Sequence, residues 1–156
     1  MLKCLFILLQ INVIGSLTAD FRQVKTSELL VKPQVSTGRL AYRAPNYLRW
    51  EYVSPSPLVW EVNGQQSNAN KNVTRLVNVI LQTINGTNFQ SNQQFDVNNV
   101  DKNVYVMHPK IREMKRFFTS ITVTLNAATH IAEKVEIEEV GGGNTTLTFS
   151  NVHADK

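Results

Sequence analysis

Apolar and polar residues alternate along the segment between residues 38 and 62. Because successive side chains of a β-strand point to opposite faces, this alternation predicts half-buried strands rather than a helix. The interruptions contain prolines, within residues 44–46 and 54–57, and the segment ends at Asn63-Gly64, a dipeptide typical of tight hairpin turns. We therefore expect three strands joined by short turns into an antiparallel meander.

Further segments are rich in the β-branched and aromatic residues that favour strands, and turn-forming residues separate them. The last two are linked by the glycine-rich residues 141–144, which predict a hairpin. Together with the meander, these segments bring the expected number of strands to about nine. The additional strands are expected at Phe21–Lys25, Phe95–Asn98, Val104–His108, Phe117–Leu125, Ala132–Val140 and Thr145–Asn151.

The apolar spacing changes to that of an amphipathic helix between Asn72 and Ile84, and Gly86 follows as a stop signal. A parallel α/β fold needs helices between its strands, so one helical stretch among so many strands favours a mainly β, α+β class. We call this segment the lid helix. Its apolar side chains are Val73, Leu76, Val77, Ile80, Leu81 and Ile84.

A single curved antiparallel sheet collects its apolar side chains on the concave face. A helix of about 13 residues is ~20 Å long and covers only part of that face. The remainder is either filled by side chains as an ordinary core or left open as a cavity, and periodicity does not distinguish the two. The candidate residues for lining such a cavity are Leu40, Tyr42, Leu48, Trp50, Tyr52, Trp60, Val106, Phe117, Ile121, Val123, Leu147 and Phe149.

The N-terminal segment has the features of a secretory signal peptide. Lys3 stands near the start, an apolar run follows, and small or neutral residues lead up to Ala19. The apolar run is too short and too often interrupted for a membrane-spanning helix, which needs about 20 apolar residues. We expect cleavage after Ala19, which leaves residues 20–156 as a single exported domain.

A second interpretation of the same segment stays open. Ile11, Ile14 and Leu17 recur at helical spacing, which is compatible with an amphipathic N-terminal helix that the mature protein retains. In that case residues 1–19 are the remnant of a helix that belongs to the fold. The N-terminal residue of the exported protein distinguishes these two interpretations.

Composition excludes several classes of function. The chain has 156 residues, a single cysteine and a formal net charge of +4. Because the cysteine is Cys4, the body of the protein has no disulfide bonds, thiolate metal sites or cysteine nucleophile. The net positive charge is small, and residues 133–139 form an acidic segment of their own, so a nucleic-acid partner is not indicated.

Catalytic patterns are scarce, and we expect neither an enzyme nor a cofactor. His108, His130 and His153 lie far apart in the sequence, at spacings that do not match a metal site. The glycines at 141–143 lack the lysine and hydroxyl residue of a phosphate-binding loop. The glutamates of the segment 133–139 alternate with apolar residues, which is typical of the solvent-exposed face of a strand.

The residues from Gly38 to Tyr52, followed by Pro55 and Asn63-Gly64, are similar to the pattern G-x-L-x-Y/W…P-x-x-x-x-W-x-Y…P…D/N-G of the LolA-type outer-membrane lipoprotein carriers. The likeness extends from about residue 10 to residue 152. Shorter segments also resemble parts of that family. These are residues 19–25, which resemble its first strand, residues 107–110, which resemble its L-x-P-K segment, and residues 135–139 and 146–152, which resemble its closing hairpin.

The resemblance implies an unclosed antiparallel β half-barrel wrapped around an amphipathic helical lid. Its apolar cavity would bind the acyl chains of lipoproteins and carry them through the periplasm from the inner to the outer membrane. The implied partners are acylated lipoproteins, an inner-membrane transporter that releases them and an outer-membrane acceptor. The carrier would act as a monomer, without a cofactor and without nucleic acid.

Members of this family often place an arginine directly before the first proline of the pattern, where it holds the lid. This chain has Ala44 at that position, and Arg43 and Arg49 are the remaining candidates for a latch or a rim. A different interpretation of the same half-barrel is an exported interaction or sensor domain. Such a domain would have a filled core and would bind a protein or a lipid without transporting it.

Overall fold

The computed structural model describes residues 14–64, 66–68 and 94–155. Most of these residues lie in β-strands, as the alternating pattern predicts. The strands are β1 (Ser16–Thr26), β2 (Gln34–Arg43), β3 (Tyr47–Ser54), β4 (Leu58–Asn63), β5 (Gln66–Ser67), β6 (Phe95–Asp101), β7 (Val104–Pro109), β8 (Phe118–Leu125), β9 (Ala132–Glu139) and β10 (Asn144–Asp155). The helix in the described part of the chain is short and is called α1 (Arg112–Lys115).

All ten strands form one sheet in the order β5-β4-β3-β2-β1-β10-β9-β8-β7-β6. Every neighbouring pair is antiparallel. The sheet therefore consists of two meanders, β1 to β5 and β6 to β10, and the pairing of β1 with β10 joins them at the centre. The described strands β5 and β6 lie at opposite ends of this order, so the sheet is unclosed.

The mainly β class and the unclosed antiparallel sheet confirm the coarse prediction of the fold. Every segment expected to be a strand is one, and β5 is an additional short strand after the Asn63-Gly64 turn. The β9–β10 hairpin turns through Gly141 and Gly142, whose φ angles of 98° and 92° are readily adopted only by glycine. The expected lid helix, Asn72 to Ile84, lies outside the described residues.

One face of the sheet, which we call the buried face, holds the apolar core. The strand register brings its side chains together in rows, because directly paired residues of neighbouring strands share a face. One row runs from Tyr105 through Val123 and Val135 to Leu147. The opposite side of the sheet is the outer face, on which polar and charged residues predominate.

Two residues expected on the buried face lie elsewhere. Val106 pairs with Thr122, which pairs with Glu136, so the register places Val106 on the outer face. Phe117 precedes β8 and is 41% exposed, whereas the neighbouring Phe118 is buried. Both assignments were wrong by one residue. A shift of one residue exchanges the faces of a strand, and two adjacent phenylalanines gave the pattern no means of choosing between them.

The expected boundary after Ala19 falls inside the central strand β1. Leu17 and Ala19 are 2% and 4% exposed and belong to the apolar core. Residues 16–19 pair with β2, and residues 16–18 also pair with β10. Cleavage after Ala19 would therefore remove four residues of the sheet. Their small and apolar side chains resemble the end of a signal peptide because a short buried strand has the same composition.

Candidate functional site

The buried face is continuous across both meanders and is the candidate site. All the predicted lining residues other than Val106 and Phe117 lie on it, either fully buried or packed against the core. Leu17, Ala19 and Phe21 of β1 also lie on this face, although they are not among the predicted lining residues. Their alternation with Thr18 and Asp20 was a signal that could have placed them there.

Five aromatic residues on this face form what we call the aromatic cluster: Phe21, Trp50, Tyr52, Trp60 and Phe149. The Phe21 ring stacks on Trp50 with centroids 4.3 Å apart. Tyr52 meets both Phe21 and Trp60 edge to face at 5.3 Å, and Phe149 meets Trp50 edge to face at 6.4 Å. Such pairs contribute about 0.5–1.5 kcal/mol each beyond the burial of their area, so the cluster fixes the shape of this half of the face.

Gly38 of β2 makes room for the aromatic cluster. It pairs with Phe21 on one side and with Tyr52 on the other. A Cβ atom at this position would overlap the carbonyl oxygen of Glu51 and lie 2.6 Å from Phe21 Cζ. The absence of a side chain therefore allows the Phe21 ring to lie over β2 and reach Trp50.

The aromatic cluster contains polar groups that a plain apolar core would not need. The Tyr52 hydroxyl donates a hydrogen bond of 2.7 Å to Gln23 Oε1. Burial raises the pKa of the Tyr52 phenol, and the side chains of Trp50 and Gln23 beside it act in the opposite direction. The Trp50 Nε1 is buried close to the Tyr52 phenol oxygen, which is its nearest polar partner although their geometry is not that of an ideal hydrogen bond.

The space that the described residues leave on the buried face between β1, β2, β9 and β10 is small. A cavity of about 10 Å³ lies among Leu17, Leu40, Ile131 and Phe149. That volume is about the least that holds one water molecule. An acyl chain could enter this part of the face only if side chains moved aside.

Among the described residues, shallow grooves of about 440 and 450 Å³ lie on the outer face, and Asp20 and Arg39 line both. Arg39 Nε lies 3.0 Å from Glu51 Oε2, and Arg49 lies 3.7 Å from the carboxylates of both Glu51 and Glu61. Surface ion pairs of this kind contribute at most about 1 kcal/mol each. Because charged side chains line these grooves and solvent reaches them, the grooves are polar and exposed.

The two arginines considered for a latch or rim are both engaged on the outer face. The Arg43 guanidinium lies 4.7 Å from the centroid of the Tyr47 ring, while the adjacent Tyr42 is buried on the other side of β2. Arg49 makes the ion pairs described above. The structure thus places both arginines opposite the face on which a latch would act.

The histidines do not converge on a site. His108, His130 and His153 are exposed and lie on separate elements. Within residues 14–64, 66–68 and 94–155, no three side chains of His, Cys, Asp or Glu come together in a way that could hold a metal ion. In the same part of the chain, no helix has the length and apolar character needed to cross a membrane.

The family model described as "Outer membrane lipoprotein carrier protein LolA" matches residues 12–156. No curated protein sequence matches the chain.

Solved structures give a fold likeness at low sequence identity. A crystal structure of MucB is 14% identical, with a TM-score of 0.50, and the match covers 99% of this chain and 58% of that one. The MucA/MucB complex of Pseudomonas aeruginosa is 11% identical, with a TM-score of 0.49, and the match covers 90% of this chain and 52% of that one. A putative outer membrane lipoprotein-sorting protein domain from Vibrio parahaemolyticus is 11% identical, with a TM-score of 0.43. That match covers 91% of this chain and 86% of that one. The chain spans only about half the length of the MucB chains.

Proposed function

The chain belongs to the LolA family of outer membrane lipoprotein carriers, and on this premise we propose that it is a periplasmic carrier which binds the acyl chains of lipoproteins and moves them from the inner to the outer membrane. The observation that supports this proposal most directly is the continuous apolar face of an unclosed sheet, with the aromatic cluster at one half of it. In this proposal the partners are acylated lipoproteins, the inner-membrane transporter that releases them and the outer-membrane acceptor.

The energetics of acyl chains favour exchange between apolar environments. Withdrawing a chain of ~16 carbons from water at ~0.8 kcal/mol per methylene is worth ~12 kcal/mol. Several fully buried chains would exceed the ~18–21 kcal/mol at which noncovalent affinities saturate, and such a complex would not release its cargo. A carrier therefore holds its cargo incompletely and passes it on with little net change in free energy.

The small cavity on the buried face is compatible with this requirement if cargo displaces groups that occupy the face of the empty protein. We propose that the lid helix is the displaced element and that Leu76, Ile80 and Ile84 contact the buried face when cargo is absent. Displacing these side chains offsets part of the gain from burying acyl chains. The bound and empty states can then have similar stability, and no bond needs to be formed or broken.

The buried residues of β1 also limit where a signal peptide can be removed from an exported protein. Since Leu17 and Ala19 are part of the core, we propose that any signal cleavage occurs before Ser16 rather than after Ala19. The exported protein would then keep the whole of β1.

The cavity of about 10 Å³ also favours a second function. If the buried face is a permanently filled core, the same half-barrel is an exported interaction or sensor domain. Its binding surface would then lie outside the apolar face, for example at the outer-face grooves, and it would bind a protein or lipid without transporting it.

The test is a titration of the purified protein with a fluorescent fatty acid and, separately, with a triacylated lipoprotein. The carrier proposal expects saturable uptake of both, and transfer of the lipoprotein from donor to acceptor vesicles. The absence of saturable uptake of either probe would contradict it. Retention of a protein ligand in a pull-down, with no response to either probe, would support the interaction domain instead.

A further inference from the structure

Exposed apolar side chains gather at one end of the sheet. Within residues 14–64, 66–68 and 94–155, nine large apolar side chains are exposed. Seven of them lie on or within two residues of the β1–β2, β3–β4, β7–β8 and β9–β10 connections, and the other two are Val100 and Val152. The antiparallel strand order places these four connections at the same end of the sheet, which we call the apolar end.

The two most exposed of these side chains stand on the β1–β2 connection. Leu29 is 94% exposed, and Val31 is fully exposed. Because β1 pairs with β10 up to its last residue, this connection lies beside the β9–β10 turn. In that turn the exposed Val140 donates a backbone hydrogen bond of 2.9 Å to the carbonyl oxygen of Phe117, which is also exposed. The apolar side chains of three connections are therefore neighbours.

Basic residues accompany the exposed apolar ones. The four connections of the apolar end contain five lysines or arginines and two glutamates. Lys32 follows Val31, and Lys115 and Arg116 precede Phe117; all three basic side chains are exposed. The connections at the opposite end of the sheet contain one lysine and no acidic residue. Positive charge is therefore concentrated where the apolar side chains project.

Ion pairs neutralise only part of this charge. Where the strands enter the connections, Lys25 Nζ lies 3.7 Å from Glu139 Oε2, and Lys110 Nζ lies 3.4 Å from Asp96 Oδ1. When the two strand-end acids and Lys25 are included, basic residues still outnumber acidic ones at the apolar end. This excess favours an anionic partner.

The way in which the apolar side chains project favours a lipid surface as that partner. Exposed apolar patches bordered by polar residues mark interaction sites. Leu29 and Val31 stand almost free of their neighbours, so a protein partner would need a matched pocket for each. A fluid bilayer surrounds separate apolar groups without such pockets, and its anionic head groups attract the basic residues beside them.

We propose that the apolar end docks the protein on an anionic phospholipid bilayer. Leu29 and Val31 insert below the head groups, and Lys32, Lys115 and Arg116 contact the lipid phosphates. The inference goes beyond the proposed function, because docking does not require an acyl chain to enter the buried face. In a carrier, it would bring one end of the buried face to the membrane from which cargo is taken or to which it is delivered.

Co-sedimentation of the full-length protein with lipid vesicles tests the docking. One set of vesicles is phosphatidylcholine alone, and the other also contains phosphatidylglycerol, which supplies negative charge. We expect binding to the anionic vesicles that weakens as salt is added, because salt screens exposed charges. Absence of binding to both sets would overturn the inference and would favour a protein as the partner of the apolar end.

Substitution of the projecting side chains identifies the surface. Leu29→Ser combined with Val31→Ser should weaken binding to anionic vesicles by about tenfold or more, because both side chains lose their burial in lipid. Val100→Ser is the matched control, since Val100 is 59% exposed but lies toward the opposite end of the sheet. Equal weakening in both proteins would overturn the inference. Melting temperatures check that each variant remains folded.

The basic residues have a separate test. Lys115→Gln combined with Arg116→Gln should weaken binding to anionic vesicles by about fivefold for each charge removed. Binding to phosphatidylcholine alone should change little. Lys102→Gln is the control, because it removes a charge from a connection at the opposite end. A loss per charge that is as large in the control would overturn the inference.

Fluorescence reports the insertion directly. The emission of Leu29→Trp should shift to shorter wavelength on anionic vesicles, and that of Val100→Trp should not, while Trp50 and Trp60 give both variants the same background. The same response in both variants would overturn the inference. Fatty-acid uptake without vesicle binding would refute only this inference, whereas vesicle binding that depends on Leu29 and Val31, without uptake, would support it and contradict the carrier proposal.

Discussion

Phe21 stacks on Trp50 with ring centroids 4.3 Å apart and planes inclined by 30°. The two residues belong to β1 and β3, so their rings meet across the intervening strand β2. They do so over Gly38, whose missing side chain leaves the space that the Phe21 ring occupies. The packing of two large side chains thus depends on the smallest residue in the sheet.

Gly38→Ala should destabilise the protein. The added methyl group would overlap the Glu51 carbonyl oxygen and press on the Phe21 ring, and overpacking of this kind costs about 1–3 kcal/mol. Urea denaturation measures the loss in free energy of unfolding. Gly143→Ala is the matched control, because its methyl group would meet only the flexible side chain of Glu139. Equal effects of the two substitutions would contradict the packing described here.

Removal of residues 1–19 should be far more damaging than removal of residues 1–13. The longer deletion takes the buried Leu17 and Ala19 out of β1, and the loss of one buried leucine side chain alone costs about 2–5 kcal/mol. Thermal denaturation compares the two truncated proteins. Mass spectrometry of the exported protein should find an N-terminal residue before Ser16. A fully stable protein that begins at Asp20 would refute this expectation.

Ile80→Glu should reduce lipid uptake more than it reduces stability. If the lid helix is displaced by cargo, a charge on its apolar side changes the balance between the empty and loaded states. Uptake of a fluorescent fatty acid and the melting temperature are measured on the same sample. Val100→Glu is the control, since Val100 is an exposed residue of β6. Parallel loss of uptake and stability would mean that the segment is an ordinary core helix.

Tyr52 should make the stability of the protein depend on pH in the alkaline range. Its pKa is raised above the ordinary value of 10.0, chiefly by burial, so the folded state keeps the phenolic proton more tightly than the unfolded state. This contribution is present below pH 10.0 and is lost as the pH rises from there through the folded-state pKa. In Tyr52→Phe, the free energy of unfolding should therefore fall less between pH 9 and pH 11 than in the wild type. If the free energy of unfolding depended on pH identically in the two proteins, the raised pKa of Tyr52 would be contradicted.

The alternation of apolar residues predicted the strands and most of the buried face, because the side-chain period of a strand is directly visible in the sequence. It was wrong at Val106 and Phe117, where one residue decides the face. It did not place Leu17 and Ala19 on the buried face, since a few small and apolar residues near the N-terminus have the composition of a signal peptide.

The polar groups of the aromatic cluster were beyond prediction for a different reason. Tyr52 and Gln23 are 29 residues apart in the chain and meet only through the register of the sheet. Whether the Trp50 N–H finds an acceptor likewise depends on three-dimensional geometry, which local sequence patterns do not contain. Periodicity identifies the face on which a side chain lies, but not the partner that it has there.

The junction between β1 and β10 has a consequence for how the protein is made. Thr26 and Asn144, which face each other in this junction, are separated by 118 positions. Closing so long a loop is entropically costly, and a chain that emerges N-terminus first must hold β1 without β10 until residues 144–155 have been synthesised or exported. During that interval β1 has an open edge that could pair with another molecule. Nascent copies should therefore be most prone to aggregate just before β10 arrives.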